Sequence, residues 1–510
     1  MIKRIIEDKI NFFYRYNWLS KIALSLLCIS GSFLIFFFRN PDAFINPVFY
    51  AEDGSVYISS LLTDGFWQSL SNARTDYVVL GNLLLAQLSI LVNNLFYGGN
   101  IILLPQIIGV VSYLFFSIVA NLPLILFRER IRFNYLIFMT FIFSFFPIGQ
   151  SDFEVIGRLT NVGFAFVYIS FLFVSYRLFV LKTICNKKIH IVLYLIVDLI
   201  IIISALTNPV VYLIFPTIYL PYLKKIFIDK LPFNRIITSL NFSFLSSVFV
   251  GIILTYQLLS RFALNRLSGA SGLDSPFVFS HAIEMIIARS ILYPIIYSIY
   301  SHMNDLIVIV LFIMLLFVFK KFGNKRNYGL YSLGCYCLFS FSLAAAAFRP
   351  GLSSILNNYS TTFPDRYYYG QNLISTFLIL VLFYDVYKQV KNYRKRIALF
   401  CILLIMFFAG FEQTSTYGNP ILTFREIGNF EQNLLFALKN ARSVSLKEVV
   451  IDKSLSSKAN QISRNDQSIE ITIYPIQIQN LKIKIPLQIV EKSAAQSKLK
   501  NIVDSQCKNS

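Results

Sequence analysis

Two adjacent carboxylates, Glu52 and Asp53, are the residues of this chain best placed by type and spacing to do chemistry. They sit in Asn46-Pro-Val-Phe-Tyr-Ala-Glu-Asp-Gly-Ser-Val-Tyr57, beside a glycine and among aromatic residues, directly after the first long apolar run. In a half-apolar setting one carboxylate can be raised in pKa or held by hydrogen bonds while its neighbour stays ionised. That arrangement suits a general base taking a proton from a hydroxyl. The same pair would equally cap a juxtamembrane helix, since acidic residues favour a helix start and the glycine loosens the turn. A second acidic group, Asp152 and Glu154 in Gln150-Ser-Asp-Phe-Glu-Val-Ile-Gly-Arg158, and the separate Asp76 could assist acceptor binding. Asp152 and Glu154 could also join Glu52 or Asp53 around a divalent cation; otherwise they belong to a solvated connector. The cations available to an anionic group on the same side are Arg366, in Phe363-Pro-Asp-Arg-Tyr-Tyr-Tyr369, with Arg349, Arg158 and Arg74. Each also fits as an interfacial anchor, with Tyr367 to Tyr369 in an aromatic belt.

Other chemistries lack their residues. The chain has no phosphate-binding glycine loop of the Walker type, no GxSxG and no HExxH. Its three His are too few for a His-based metal site, and Cys335-Tyr-Cys337 is one residue short of a CxxC, so no metal is assigned. Asp198, inside an apolar run, is expected to face a cavity or a partner and is given no chemistry.

The elements that position these residues are apolar. Of 510 residues, 56% are hydrophobic and only 14% charged, well below the charge content of soluble domains. Net charge is +20, yet the Lys and Arg gather in short runs between apolar segments, as at Lys320-Lys321, Lys325-Arg326 and Lys391 to Arg396. This is the positive-inside pattern of cytoplasmic loops and gives no basic face for nucleic acid. Twelve apolar runs are long enough to cross a bilayer, near 20–39, 78–97, 101–127, 133–149, 161–181, 189–206, 208–223, 238–260, 304–320, 329–348, 371–388 and 397–411.

The expected fold is therefore an all-α polytopic membrane bundle of about 12–13 helices over 1–411, with external loops at 40–76, 261–303 and 349–370. The N-terminus is expected in the cytoplasm, without a cleaved signal peptide, and Phe277 to Tyr300 reads as amphipathic. Residues 412–510 form an extracytoplasmic domain of mixed α/β structure, because Ile469-Glu-Ile-Thr-Ile-Tyr474 and Leu481-Lys-Ile-Lys-Ile485 alternate with the period of strands. The polar end from Ser493 is expected to fray. One conflict stands: twelve crossings would return the tail to the cytoplasm, and forward counting puts Arg128-Glu-Arg-Ile-Arg132 outside. Either a further span hides within 101–127 or one early segment is re-entrant; the former gives about thirteen.

An acidic pair in the first external loop, then a polytopic bundle and a small external C-terminal domain, resembles the GT-C superfamily of membrane glycosyltransferases. The chain also resembles bacterial membrane proteins that share W-A-E-D-G, G-W-x-S-L and Y-x-x-x-x-R strings. Here these read Tyr50-Ala-Glu-Asp-Gly54, Gly65-Phe-Trp-Gln-Ser-Leu70 and Asp76-Tyr-Val-Val-Leu-Gly-Asn82, with weaker echoes at Arg158-Leu-Thr-Asn161, Leu206-Thr-Asn-Pro209 and Asp365-Arg-Tyr367. Tyr50 stands for the tryptophan, an extra residue precedes Ser69-Leu70 and no arginine follows Tyr77. O-antigen-modifying glucosyltransferases of bacteriophage and enteric bacteria share the layout. The resemblance implies an inverting glycosyltransferase of the bacterial inner membrane, with Glu52 or Asp53 as catalytic base. It implies a polyprenyl-phosphate sugar donor, whose phosphate Arg366, Arg349, Arg158 and Arg74 would hold, and a glycan acceptor at the periplasmic face. A transporter or flippase of lipid-linked oligosaccharide should instead place its charges inside the bundle. An O-antigen polymerase or ligase is not expected to carry an acidic pair after its first span.

Overall fold

The computed structural model describes residues 18–45, 47–72, 78–146, 152–181, 187–219, 279–348, 365–392, 468–472 and 482–496, with isolated residues between 227 and 259, at 359 and between 394 and 404. The principal helices are α1 (Trp18–Arg39), α2 (Leu80–Tyr97), α3 (Leu104–Leu126), α4 (Phe133–Ser144), α5 (Val162–Phe179) and α6 (Lys187–Thr207). They continue as α7 (Asp305–Phe322), α8 (Tyr328–Phe348), α9 (Tyr369–Gln389) and α10 (Leu487–Gln496). Among the described residues, six helical runs are long and apolar enough to cross a membrane: Ile22–Arg39, Leu80–Tyr97, Leu104–Leu126, Val162–Phe179, Phe279–His302 and Arg366–Gln389. The pair Asp305–Phe322 and Lys325–Ala344, bent by 116°, makes up to seven. Shorter apolar helices run over Phe133–Ser144, Ile191–Thr207 and Pro209–Tyr219. Leucines and phenylalanines such as Leu26, Leu27, Leu306 and Phe317 are exposed on the helix surfaces, the inverse of a water-soluble fold and the match of a hydrocarbon solvent. The chain is a helical multi-pass membrane protein.

Polar contacts fix which helix ends lie together. At one end, Tyr113 of α3 donates to the Asn40 carbonyl (2.6 Å), while deeper in the bundle Asn121 donates to Ser32 (3.1 Å), so α3 runs antiparallel to α1. Arg39, fully buried, donates to the carbonyls of Ser144 (2.8 Å) and Phe146 (2.7 Å) where α4 ends. Thr207 at the end of α6 accepts from the Gly81 amide (2.7 Å). At the opposite end, Asp385 of α9 accepts from the Asn324 amide (3.1 Å), Asn327 (3.1 Å) and Tyr331 (2.9 Å). There the Arg132 amide donates to Tyr384 (3.1 Å), and Arg130 donates to the Phe179 carbonyl.

These contacts locate the miscount in the first 150 residues. The basic group Arg128–Arg132 lies with Lys325 and Arg326 at the far end, not with Glu52 and Asp53 as forward counting requires. Residues 104–126 form one unbroken helix, so no second span hides there. The run set apart by its contacts is 78–97. α2 begins beside Thr207, and α3 begins at the same end, since Gln106 donates to the Phe44 carbonyl (3.2 Å). Residues 98–103 between them are compact turns, opened by Gly98 and Gly99 at φ 61° and 83°, a conformation that favours glycine. Both ends of α2 therefore lie at the Asp53 end. The run Phe279–His302 behaves alike: Met285 packs on Tyr368, Ser375 donates to the Ile291 carbonyl, and Tyr300 meets Tyr359, which hydrogen-bonds Asp305 at the start of α7.

In the tail, β1 (Ser468–Thr472) and β2 (Lys482–Pro486) pair antiparallel, with Ile469 opposite Ile485 and Ile471 opposite Ile483. Alternation drives this, because Ile483 and Ile485 are fully buried while Lys484 between them faces outward. The hairpin docks on the first loop, the Lys484 amide donating to Ser59 (3.1 Å). Ser493, expected to fray, is buried in α10 and accepts from the Ile101 amide (3.0 Å), because a helix follows β2 directly.

Candidate functional site

The Glu52–Asp53 pair sits where the chain turns from an extended segment into a π-helical turn, Asp53–Ile58. Ala51, immediately before it, has φ 40°, a left-handed conformation that costs a non-glycine residue on the order of 1 kcal/mol or more. The turn separates the two carboxylates. Glu52 stays half-buried, whereas Asp53 points inward and is 1% exposed.

Asp53 clasps the segment between α4 and α5. Its Oδ2 accepts from the Leu159 amide (3.0 Å) and its Oδ1 from the Thr160 hydroxyl (2.5 Å). Burial pushes the Asp53 carboxyl up to about 6; the Thr160 and Leu159 hydrogen bonds and the Arg158 charge oppose this, and Glu52 adds to it. Arg158 is itself buried, donating to the Val48 carbonyl (3.1 Å) and stacking on the Tyr50 ring (5.1 Å to its centroid). Desolvation pulls its guanidinium below the usual range, with the Asp53 charge opposing. Asn82 braces the loop from α2, donating to the Leu159 carbonyl (2.6 Å), and Ser112 of α3 donates to the Arg158 carbonyl (2.8 Å). Gly157 permits the turn before Arg158: its φ is 78°, and a Cβ there would lie 2.5 Å from that of Ala43.

Closer to the surface, Glu154 accepts from the Tyr50 hydroxyl (3.1 Å) and forms an ion pair with Arg366. Arg366, half-buried in the short turn Asp365–Tyr368 that leads into α9, also lies over the Tyr367 ring (5.2 Å). The fold thus gathers Glu52, Asp53, Glu154, Arg158 and Arg366, from three separate segments, at one end of the bundle. Their roles differ. Asp53 and Arg158 are internal ties, Glu52 and Arg366 are partly exposed, and Glu154 between them is largely covered. Asp152 lies in the short helix Asp152–Val155, and Arg74, Asp76 and Arg349 lie outside the described residues. Among the described residues no group of three or more His, Cys, Asp or Glu is placed to hold a metal ion, and Glu154 has its charge matched by an arginine.

Sequence reasoning passed over Asn82, Gly157, Tyr50 and Thr160 as site residues. Thr160 and Asn82 fell within quoted strings but carried no signal of their own; a glycine before an arginine in a polar loop was the one cue to Gly157. The structure also holds two buried ion pairs: Arg177 to Asp198 (2.9 Å), which gives Asp198 its partner, and Arg289 to Glu284 (3.4 Å), with Arg289 over the ring of Tyr368 (6.0 Å), two residues from Arg366. The chain matches no family model and none of the curated proteins compared with it.

Proposed function

We propose that this protein is an inverting membrane glycosyltransferase that moves a sugar from a polyprenyl-phosphate donor to a cell-surface glycan at the periplasmic face of a bacterial inner membrane. The observation that carries the reading is the joining of the acidic first loop to the arginine-bearing loops at one end of a helix bundle, beside a docked C-terminal hairpin. Glu52, the partly exposed carboxylate, takes the proton from the acceptor hydroxyl. The acceptor oxygen then bonds to the anomeric carbon as the carbon–oxygen bond to phosphate breaks, and that electron pair leaves with the polyprenyl phosphate. Arg366 meets the charge developing on the phosphate. Asp53 holds Glu52 and the Arg158–Thr160 loop in register and is a positioning residue. The bilayer presents the lipid tail, so no soluble donor domain is needed.

Topology supports the orientation. Removing 78–97 from the twelve expected crossings leaves eleven, an odd number that carries a cytoplasmic N-terminus to an external tail. The far end, with Arg128, Arg130, Lys325 and Arg326, is then the cytoplasmic side. The buried pairs Arg177–Asp198 and Arg289–Glu284 favour a second reading, a transporter of lipid-linked glycan, since such proteins carry charge within the bundle. Mass spectrometry of lipid copurified in nanodiscs separates the two. A single-sugar polyprenyl phosphate supports the transferase; a pyrophosphate-linked oligosaccharide would favour the transporter, or a polymerase or ligase.

A further inference from the structure

α2 is built inside out. Its buried face carries Asn82, Ala86, Ser89 and Asn93, at helical spacing. Its outer face carries Leu84, Leu88, Leu91 and Leu95, again at helical spacing and 39% to 70% exposed. A helix in water turns its leucines inward and its amides outward; the reversed pattern belongs to a helix in hydrocarbon. Leu80–Tyr97 contains no charged residue, so nothing on this face favours an aqueous or a charged protein surface. The stripe adjoins α3, whose Leu114, Ile118 and Ile125 are exposed in the same way on a crossing helix. Yet its ends are not at opposite ends of the bundle: at about 1.5 Å per residue its 18 residues span about 27 Å, and both ends lie at the Asp53 end.

We propose that α2 is a monotopic helix immersed in the leaflet at the Asp53 end, with Leu84, Leu88, Leu91 and Leu95 against the acyl chains, and that this lipid contact seats Asn82 under the Asp53 loop. Asn82 links the two. It lies on the face opposite the leucine stripe and donates to the carbonyls of Leu159 (2.6 Å) and Thr160 (3.2 Å) and to the Tyr57 hydroxyl (3.3 Å). Those residues flank both oxygens of Asp53, so the site rests on a helix that the bilayer holds. The inference is independent of the reaction catalysed.

The test uses the full chain in phosphatidylethanolamine–phosphatidylglycerol vesicles. In a background with the native cysteines replaced, Ser71→Cys and Tyr97→Cys flank α2, and Arg326→Cys marks the far end. Ser71→Cys and Tyr97→Cys should react with a membrane-impermeant maleimide from one side and Arg326→Cys from the other; labelling of the first two from opposite sides would make α2 a span. Nitroxides at positions 84, 88, 91 and 95 should collide several-fold more often with oxygen than with a water-soluble nickel chelate, while one at Ser89 is shielded from both. Chelate access at the four leucines would show water there, and shielding from both probes would show a protein partner or a second copy; either result overturns the proposal. Photo-crosslinkable phospholipid with the reactive group on its acyl chain provides a check on the unmodified chain. It should tag the peptide 80–97, and loss of that tag while α1 and α3 are tagged would also overturn it.

Discussion

Replacing Asp53 by Asn and by Ala should have opposite consequences, because the carboxylate charge and its hydrogen bonds act in opposite directions. Burial raises the Asp53 pKa from 3.8 to about 6, so at neutral pH the fold holds a charge it disfavours. At about 1.4 kcal/mol per pKa unit the cost is on the order of 3 kcal/mol. The sign follows from proton binding. Between about pH 4 and 6 the folded state binds the proton that the unfolded chain has lost. The stabilisation by the neutral acid is therefore complete below the unfolded pKa and lost as pH rises through about 6. Asn reproduces the neutral acid: its oxygen accepts from the Leu159 amide, and its amide group donates to Thr160, whose hydroxyl can turn to accept. Asp53→Asn should therefore be at least as thermostable as wild type at pH 7.5, with the difference closing toward pH 5. Asp53→Ala leaves a buried amide and a buried hydroxyl without acceptors, at about 1–3 kcal/mol each, and should be less stable at every pH. Thermal unfolding in nanodiscs, followed by loss of monodispersity across pH 5–8, reads both. If Asn lowers stability as much as Ala at pH 7.5, the ionised carboxylate is needed by the fold and the burial argument is wrong.

Three further outcomes follow from the same contacts. Asp198→Leu alone strands the Arg177 charge in the bundle and should cost about 3–5 kcal/mol; the double variant Arg177→Met/Asp198→Leu should recover most of that loss in the same thermal assay. Gly157→Ala forces an alanine into φ 78° against Ala43 and should lower stability by more than about 1 kcal/mol; Gly163→Ala, whose nearest neighbours lie 3.6 Å or more from a built Cβ, serves as the mild comparison. Ending the chain at residue 467 removes the hairpin on Ser59 and the helix α10 on Ile101, and protease or hydrogen-exchange protection of residues 53–63 and 98–103 should fall while that of α9 is unchanged.

The helical bundle and the tail strands were legible because their signals are local. Long apolar runs set the helices, and the alternation of Ile469, Ile471, Ile483 and Ile485 set the hairpin. Where the ends of 78–97 lie was not legible, since hydropathy measures the solvent of a helix and not the position of its ends. Only the Gly81–Thr207 and Gln106–Phe44 contacts reveal that both ends return. The acidic pair was singled out by residue type, but not the different burial of its two carboxylates. That depends on Ala51 and the π-helical turn, which send Asp53 inward toward an amide about 106 residues away, a partnership no spacing rule encodes. Arg158 and Arg366 looked alike in sequence, yet one is sealed beneath Tyr50 and the other reaches the surface.

Comparison of the surface glycan by mass spectrometry in wild type, a deletion strain and strains carrying Glu52→Gln or Asp53→Asn, with protein abundance measured in parallel, tests the central claim most directly. The account predicts that deletion removes one sugar and that well-expressed Glu52→Gln removes the same sugar. An unchanged glycan in a well-expressed Glu52→Gln strain, when the deletion does alter it, would contradict a carboxylate base at this position and move the assignment to a transporter or polymerase.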